Sequence, residues 1–328
     1  MTNPIAWYLK DLKSVSQNRL KVMTTFSCGG GSSMGYKLAG CDVIAANDID
    51  PEMAYHYKLN LNPKHYFLCP IKDSLKKELP DELYHLDILD GSPPCSTFSM
   101  AGSREKAWGK KKHFREGQAE QILDDLFFDY LDLVEHLRPK VAIAENVKGM
   151  LQGNAKGYCK LIIERFKAIG YKPQLFLVNA ADCGVPQKRE RVFFVALRDD
   201  IDKPKLVLAP KSRWVGSREA CEDLGQEWDG FRSFTPMNER MTLKGDRPHH
   251  STKEPYPTLT GTIPNNNLLN PKTNELRAFN LAEYKRIGSF PDDYQAKTDK
   301  IGKYMIGMSV PPRMTEQVAK AVIEQWLS

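Results

Sequence analysis

A cysteine follows two prolines at residues 92–95, which read Ser-Pro-Pro-Cys. The prolines fix the backbone directly after a predicted strand at residues 86–89. A thiol held at the end of a strand is suited to act as a nucleophile once it is deprotonated. A lone cysteine is more often a buried structural residue. Taken alone, Cys95 leaves both interpretations open.

A glycine-rich segment at residues 26–31 reads Phe-Ser-Cys-Gly-Gly-Gly and lies between a predicted strand and a predicted helix. A turn of this kind lets a ligand approach the backbone closely. About 20 residues further on, Asp48 ends the next predicted strand, where a carboxylate can accept hydrogen bonds from both ribose hydroxyls. The match to a dinucleotide fingerprint is partial, so a nucleoside site and a purely structural turn are both possible interpretations.

Short apolar strands and helices that alternate along the chain must position these residues. They predict an α/β fold with a doubly wound sheet, in which ligands bind at the carboxyl ends of the strands. Strands are predicted at residues 22–26, 43–46, 86–89, 141–144, 174–179 and 191–197, and helices at 118–137 and 161–169.

The 328-residue chain has a formal net charge of +6 and is 41% hydrophobic. Its length suits one large domain and a smaller one. No apolar run approaches the roughly 20 residues that span a membrane, and the first residues do not read as a signal peptide, so we expect a cytoplasmic protein. Seven scattered cysteines without a CxxC pair indicate a reducing compartment and no zinc site.

The alternation of strands and helices stops after Arg198, and residues 199–276 are irregular in pattern. Apolar helical spacing returns close to the C-terminus. We therefore expect a catalytic domain formed by residues 1–198 plus 295–328, and a small domain formed by residues 199–294.

Several separated segments follow one another in the order typical of the DNA cytosine-C5 methyltransferases of bacteria and phages, a family that this chain resembles. The resemblance implies a Rossmann-like, S-adenosylmethionine-dependent domain, with residues 199–294 as a target-recognition domain. The segments are residues 26–31, 91–95, 145–147, 187–191, 277–294 and 304–312.

The resemblance also implies catalytic roles. Cys95 would add to C6 of a cytosine, which makes C5 nucleophilic towards a methyl donor. Glu145, in its protonated form, would pair with N3 and the exocyclic amine. Arg191 would hold O2 and a nearby phosphate, and Arg189 would support the site or the DNA backbone.

The methyl donor implied by the resemblance is S-adenosyl-L-methionine, and no metal is expected. The residues expected to bind this cofactor are Phe26, Ser27, Gly29, Gly30, Asp48, Ile49, Ile71, Pro94, Leu126, Met308, Ser309 and Val310.

The implied partner is double-stranded DNA with one cytosine flipped out of the stack, bound by a monomeric enzyme that does not act at a membrane. Residues 104–115 contain six basic residues and one acidic residue. This segment follows Cys95, and we interpret it as a loop that closes over the phosphate backbone, the alternative being a solvated surface loop. A restriction-modification enzyme and a solitary bacterial or phage enzyme are equally compatible with the sequence.

Four positions depart from the family pattern. Cys28 occupies a position usually held by glycine, and we interpret it as structural. Asp48 is one methylene shorter than the usual glutamate, and Cys69-Pro70-Ile71 replaces an acidic contact to adenine, which leaves the adenine contacts open. Met308 stands where relatives have asparagine. This change indicates either a repacked site with ordinary methyl transfer or a pocket that accepts carboxy-S-adenosyl-L-methionine and yields 5-carboxymethylcytosine.

Three rival functions make different predictions about the sequence. A tRNA cytosine methyltransferase of similar fold would carry a late Cys-Phe-Thr tripeptide, which this chain lacks. A non-catalytic DNA-binding module would lack the Pro-Cys or Glu-Asn-Val segment, and both are present. A nicotinamide-dependent dehydrogenase is suggested only by the glycine-rich turn and Asp48.

Overall fold

The structure is a computed structural model. It describes residues 3, 5–74, 78–94, 111–112, 121–122, 126–153, 155–224, 233–234, 250–261, 267–270 and 275–328. Cys95 and most of the basic segment 104–115 lie outside the described residues. The strands are β1 (Lys21–Thr25), β2 (Asp42–Asp48), β3 (His65–Leu68), β4 (Ile88–Gly91), β5 (Lys111–Lys112), β6 (Gln121–Ile122), β7 (Val141–Val147), β8 (Tyr171–Asn179), β9 (Gln187–Lys188), β10 (Glu190–Arg198), β11 (Ser233–Phe234), β12 (His250–Ser251), β13 (Tyr256–Pro257), β14 (Asn267–Asn270) and β15 (Glu275–Ala278). The α-helices are α1 (Gly31–Leu38), α2 (Pro51–Leu61), α3 (Ile71–Ser74), α4 (Leu126–Leu137), α5 (Ala155–Ala168), α6 (Ser217–Cys221), α7 (Leu281–Ile287), α8 (Asp299–Met308) and α9 (Pro312–Val322).

A seven-stranded sheet with the order β3-β2-β1-β4-β7-β10-β8 forms the centre of the molecule. Strands β3, β2, β1, β4 and β7 run parallel, and β10 is inserted antiparallel between β7 and β8. The parallel strands are short apolar runs because both of their faces are covered. This topology confirms the predicted Rossmann-like α/β class.

Successive side chains along each strand point to opposite faces of the sheet and pack in two separate hydrophobic cores. Ile88 in β4 and Ile143 in β7 pack on one face together with side chains of α1 and α9. Leu89 and Ala142 point to the opposite face, where α4 and α5 cover them. The period of two along each strand therefore produces a three-layer arrangement. None of the described helices is long and apolar enough to cross a membrane.

Helix α4 begins at Leu126, so the predicted start near residue 118 is wrong. Residues 121–122 instead form β6, which pairs antiparallel with β5. The apolar stripe of α4 starts at Leu126 and continues through Tyr130 and Val134, all buried. In the sequence, Ile122 lies four residues before Leu126 and continues the same apolar spacing, so the local pattern cannot distinguish a longer helix from the pairing of β6 with β5.

The later part of the chain contains a four-stranded sheet with the order β12-β11-β14-β15. Strand β13 is not part of this sheet and instead pairs in parallel with β9, which directly precedes β10 of the large sheet. Phe279 and Tyr284 pack in one cluster with Met34 of α1 and Tyr57 of α2. The domain boundaries at residues 199 and 294 stay a prediction.

Helix α9 lies against α1 at a glycine that leaves no room for a side chain. A Cβ added at Gly35 would lie 2.5 Å from the Pro312 carbonyl oxygen and 2.5 Å from Thr315 Cβ. Gly35→Ala should therefore lower the free energy of unfolding by about 2 kcal/mol, because helix backbones must separate. Gly157, a helical glycine of α5 with open space around it, is the matched control.

Gly157→Ala should raise the free energy of unfolding by up to about 1 kcal/mol through helix propensity. Urea denaturation measures both variants. Equal effects of the two substitutions would contradict the close approach of α1 and α9.

Candidate active site

The glycine-rich turn joins β1 to α1 and is shaped by its backbone. Phe26 and Cys28 adopt positive φ angles of 53° and 44°, and the N–H of Ser27 donates to the Asn47 carbonyl at 3.0 Å. Gly29 and Gly30 are buried within the turn. The turn is thereby fixed against the end of β2, as expected for a ligand cradle.

The C-terminal motif closes on this turn from the other side. A Cβ added at Gly31 would collide with the Val310 carbonyl oxygen, so the two backbones meet directly. The Tyr294 hydroxyl donates to the Gly29 carbonyl at 2.8 Å. Ser309 and Val310 are both buried here. Two segments more than two hundred residues apart in sequence thus form one wall.

The Asp48 carboxylate accepts three hydrogen bonds from backbone N–H groups. One oxygen accepts from Cys28 at 2.7 Å, and the other accepts from Ile49 at 2.8 Å and Asp50 at 2.9 Å. Burial raises the pKa of Asp48, and these donors oppose the rise. A carboxylate has about four lone-pair positions, so about one remains for a ligand hydroxyl.

Several buried polar atoms around the turn accept or donate no hydrogen bond among the described residues. They are Ser27 Oγ, Tyr66 Oη, Asp90 Oδ2 and Ser309 Oγ. Unpartnered buried polar groups cost free energy unless a ligand or water satisfies them. The set fits a small polar ligand such as S-adenosylmethionine, whose ribose and amino-acid groups could pair with them.

Cys28 has no catalytic character in this setting. Burial and, to a smaller extent, the nearby Asp48 charge raise the pKa of its thiol to about 12. A thiol protonated at neutral pH is a poor nucleophile. The structural interpretation of Cys28 therefore agrees with its surroundings.

Three of the apolar residues expected to contact the cofactor pack in one cluster, and Ile49, Pro94 and Met308 are not part of that cluster. Ile71 and Leu126 are buried in one cluster, and Phe26 packs against it. Ile49 and Pro94 are half-buried. Met308 is 52% exposed, and its assignment to the cofactor site stays a prediction.

The segment that leads to Cys95 is tied to the neighbouring strand. Asn146 Nδ2 donates to the Pro93 carbonyl at 3.0 Å, and its Oδ1 accepts from the Val147 N–H at 2.8 Å. The turn after β4 is thereby held beside the end of β7, where Glu145 lies. Cys95 itself belongs to the residues that are not described.

Glu145 and Arg191 form a buried ion pair across β7 and β10. Arg191 Nε lies 2.8 Å from Glu145 Oε1, with side chains 13% and 10% exposed. Phe193, not Arg191, is directly opposite Glu145, so the pair is diagonal. Burial lowers the pKa of Arg191, and the Glu145 carboxylate opposes this shift. A guanidinium stays charged under these conditions.

Arg189 points into the protein and acts as a clamp. One of its terminal nitrogens donates to the carbonyls of Leu259 at 3.0 Å and Gly307 at 3.1 Å. Burial lowers the pKa of Arg189, as does the charge of Arg191. Arg189 therefore joins the segment at Leu259 to the end of α8 at Gly307. These contacts favour a role in supporting the site over a direct contact with DNA.

Sequence reasoning did not assign roles to several side chains that organise the site. Asn146 lies in the Glu-Asn-Val segment at residues 145–147, so the sequence singled out its position but not its hydrogen bond to the Pro93 carbonyl. Tyr294 likewise ends the segment 277–294, whereas Tyr36 and Asp90 lie outside the six family segments. The importance of all three comes from partners far away in the chain. Among the described residues, no cluster of side chains could hold a metal ion.

Comparison with known proteins gives one consistent family. The model of the C-5 cytosine-specific DNA methylase family matches residues 20–219 and 213–324. The Type II methyltransferase M.NgoPII of Neisseria gonorrhoeae is 30% identical over 194 residues, which are 59% of this chain and 52% of that protein. M.FnuDI of Fusobacterium nucleatum, another Type II methyltransferase, is 34% identical over 183 residues, 56% of this chain and 48% of that protein. The chain thus spans about half the length of these two relatives.

Longer matches and solved structures extend the comparison. M.Sau96I of Staphylococcus aureus, also a Type II methyltransferase, is 27% identical over 360 residues, covering 95% of this chain and 78% of that protein. The S. pombe Dnmt2 methyltransferase superimposes with a TM-score of 0.63 at 16% identity, over 94% of this chain and 99% of that one. A protein described as a DNA modification methyltransferase of an E. coli prophage gives 0.68 at 21%, over 93% and 99%. At these identities the structural likeness shows the fold.

Removal of one member of the buried ion pair should be costly. Arg191→Met leaves the Glu145 carboxylate buried without its partner and should lower the free energy of unfolding by about 3 kcal/mol. Adding Glu145→Gln to Arg191→Met should restore at least about 1 kcal/mol, since the uncompensated charge is gone. Urea denaturation measures each variant.

The matched control is the exposed pair between Lys148 and Glu190, whose side chains are 43% and 42% exposed at 2.7 Å. Lys148→Met should cost less than about 1 kcal/mol. If Lys148→Met and Arg191→Met cost the same, the Glu145–Arg191 pair is not buried in solution.

Proposed function

Because the chain belongs to the C-5 cytosine-specific DNA methylase family, whose model matches most of it, we propose that it transfers a methyl group from S-adenosylmethionine to C5 of cytosine in DNA. The observation that carries this proposal is the buried Glu145–Arg191 pair beside the Pro93 turn. A carboxyl group and a guanidinium at that position can meet the N3 edge and O2 of one flipped cytosine.

Cys95 is the proposed nucleophile. Its sulfur adds to C6 of the cytosine, and the electrons of the C5–C6 double bond become available at C5. After C5 accepts the methyl group, its proton leaves and the bond between sulfur and C6 breaks. These two events restore the double bond and free Cys95 for another turnover.

Glu145 and Arg191 neutralise the charge that builds on the ring. Glu145 in its protonated form donates to N3 and its other oxygen accepts from the exocyclic amine, an interaction that strengthens as C6 is attacked. Arg191 donates to O2, and its bond to Glu145 keeps the carboxyl group in place. The low exposure of both side chains makes these interactions stronger than they would be in water.

The cofactor supplies an electrophilic methyl group on a positively charged sulfur. The turn at residues 26–31 and the wall formed by Ser309 and Val310 would bind it, with the unpartnered Ser27 and Ser309 hydroxyls as polar contacts. Asp48 would accept from one ribose hydroxyl, because three backbone donors already occupy its remaining positions.

The proposed partner is duplex DNA with one cytosine extruded from the stack, since C6 is inaccessible to a thiol inside a helix. One copy of the chain would bind the DNA between the large sheet and residues 199–294, which would read the target sequence in a groove. The basic segment 104–115 would close over the phosphates. The bacterial relatives favour action in the cytoplasm on cellular or phage DNA.

A second proposal concerns the group that is delivered. Met308 offers no cation or amide to a carboxylate on the donor, and it lies half-exposed against Gly261. This favours the ordinary methyl donor over carboxy-S-adenosylmethionine. The chemistry at Cys95 and Glu145 is the same with either donor.

The identity of the donor can be read from the product base. Purified protein supplied with equal amounts of S-adenosylmethionine and carboxy-S-adenosylmethionine should convert duplex DNA to 5-methylcytosine, measured by mass spectrometry of the nucleosides. Met308→Asn, which restores the usual residue, should give the same product. Predominant 5-carboxymethylcytosine from the unaltered chain would show that the donor assignment is wrong.

The nucleophile can be tested by covalent capture. Duplex DNA that contains 5-fluorocytosine should form an SDS-stable adduct in the presence of S-adenosylmethionine, because fluorine cannot leave as the C5 proton does. Cys95→Ser should form no adduct, as a hydroxyl is not deprotonated at neutral pH. Denaturing gel electrophoresis measures the adduct.

Cys159→Ser is the control for this experiment. Cys159 lies in α5, and burial raises the pKa of its thiol to about 11. The adduct should persist in this variant. An adduct that survives Cys95→Ser and disappears with another cysteine would refute the assignment of Cys95.

A further inference from the structure

A buried carboxyl group beneath the glycine-rich turn takes no part in the proposed steps on the cytosine ring. Asp90, near the end of β4, is 2% exposed. Its Oδ1 accepts a hydrogen bond from the Tyr36 hydroxyl at 2.9 Å. Its Oδ2 has no hydrogen-bond partner in the part of the chain that the structure describes. The Ser32 hydroxyl lies near enough to favour the charged form but does not reach hydrogen-bond geometry.

Asp90 lies on the face of the sheet that carries the site. Ile88 and Ile143 belong to the core under α1 and α9, and alternation places Asp90 and Glu145 on the same side as these two residues. Ser32 follows the glycine-rich turn directly, in the first turn of α1. Asp90 therefore lies on the same face of the sheet as Glu145, beneath the helix that begins at the glycine-rich turn.

The charge on Asp90 is not neutralised by a basic side chain among the described residues. Burial raises the pKa of Asp90 to about 7, the Tyr36 hydroxyl opposes this rise, and the Glu145 charge adds to it. The other titratable groups that face Asp90 are the phenols of Tyr57 in α2 and Tyr130 in α4. None of these groups supplies a positive charge, so a bound cation would stabilise the carboxylate.

We propose that Asp90 is a positioning residue whose carboxylate recognises the positive charge of the methyl donor and so distinguishes donor from product. This inference rests on the proposed function. When the methyl group moves to C5, the bond between sulfur and carbon breaks and the sulfur keeps the electron pair. S-adenosylmethionine, with its sulfonium, thereby becomes S-adenosylhomocysteine, a neutral thioether. Both molecules keep the same ammonium and carboxylate, so a difference between them reports the methylated, positively charged sulfur.

A purely structural role for Asp90 predicts something different. A carboxyl group that only joins β4 to α1 through Tyr36 would affect the binding of both molecules equally. Preference for the charged donor would instead help product to leave after each turnover. The ratio of the two affinities therefore separates the two roles.

Calorimetric titration of the 328-residue chain with S-adenosylmethionine and with S-adenosylhomocysteine tests the proposal at pH 7.5. Asp90→Asn, which keeps the shape and removes the charge, should weaken S-adenosylmethionine roughly tenfold, as expected for loss of a hydrogen-bonding or ionic contact to a charged group. It should change the affinity for S-adenosylhomocysteine less than about twofold. An unchanged ratio of the two affinities overturns the proposal.

The pH dependence gives a second readout that needs no variant at Asp90. The carboxylate is charged above pH 7 and takes up a proton below it, so the affinity of the unaltered chain for S-adenosylmethionine should fall several-fold from pH 7.5 to pH 6. The affinity for S-adenosylhomocysteine should stay level. Equal pH dependence for the two molecules contradicts the proposal.

Tyr36→Phe is the matched variant that keeps the charge. It removes the hydrogen bond that favours the charged form, so the fall in S-adenosylmethionine affinity should move to higher pH. A fall that stays at the same pH contradicts the role given to Asp90. If the unaltered chain binds neither molecule, the proposed methyltransferase function fails, an outcome distinct from an unchanged ratio.

Discussion

The buried ion pair between Glu145 and Arg191 is the interaction on which the site depends. Two charges taken out of water are stable only when they meet closely, and here the distance is 2.8 Å. The pair exists because β10 runs antiparallel beside β7 and brings Arg191 diagonally across from Glu145. The reversed strand at this end of the sheet is thus the feature of the fold that brings the two charged side chains together.

The proposed cofactor cradle is built on backbone contacts instead. Gly31 and Val310 touch through their main chains, and Asp48 is held by three backbone N–H groups. Among the described residues, the buried hydroxyls of Ser27 and Ser309 have no hydrogen-bond partner. A fold that leaves polar atoms unsatisfied loses stability, and a ligand that pairs with them recovers it. The cradle is therefore expected to be more stable with its cofactor bound.

Much of the fold could be predicted because strand and turn signals are local. The strand predicted at residues 141–144 is present as β7 and continues to Val147. The predicted Rossmann-like α/β class is also confirmed. Helix α4 was placed too early, because Ile122 continues the four-residue apolar spacing of Leu126, Tyr130 and Val134. Short-range patterns cannot reveal that residues 121–122 pair with residues 111–112.

The site was predictable to the extent that it lies in contiguous motifs. Glu145 and Arg191 were found by motif, but their direct contact depends on the register of two strands. Asp90 and Tyr36 are 54 residues apart and meet through the packing of α1 on the sheet. The clamp formed by Arg189 likewise joins two distant carbonyls, so sequence alone left its role open.

The central claim, that this chain modifies cytosine in DNA through Cys95, is tested most directly by base-resolution sequencing of modified cytosines. DNA would be taken from cells that express either the unaltered chain or Cys95→Ala at equal levels. The account predicts modified cytosine within one short sequence context for the unaltered chain and background levels for Cys95→Ala. Unmodified DNA in both cultures, together with newly methylated cytosine in tRNA from the unaltered chain, would contradict it.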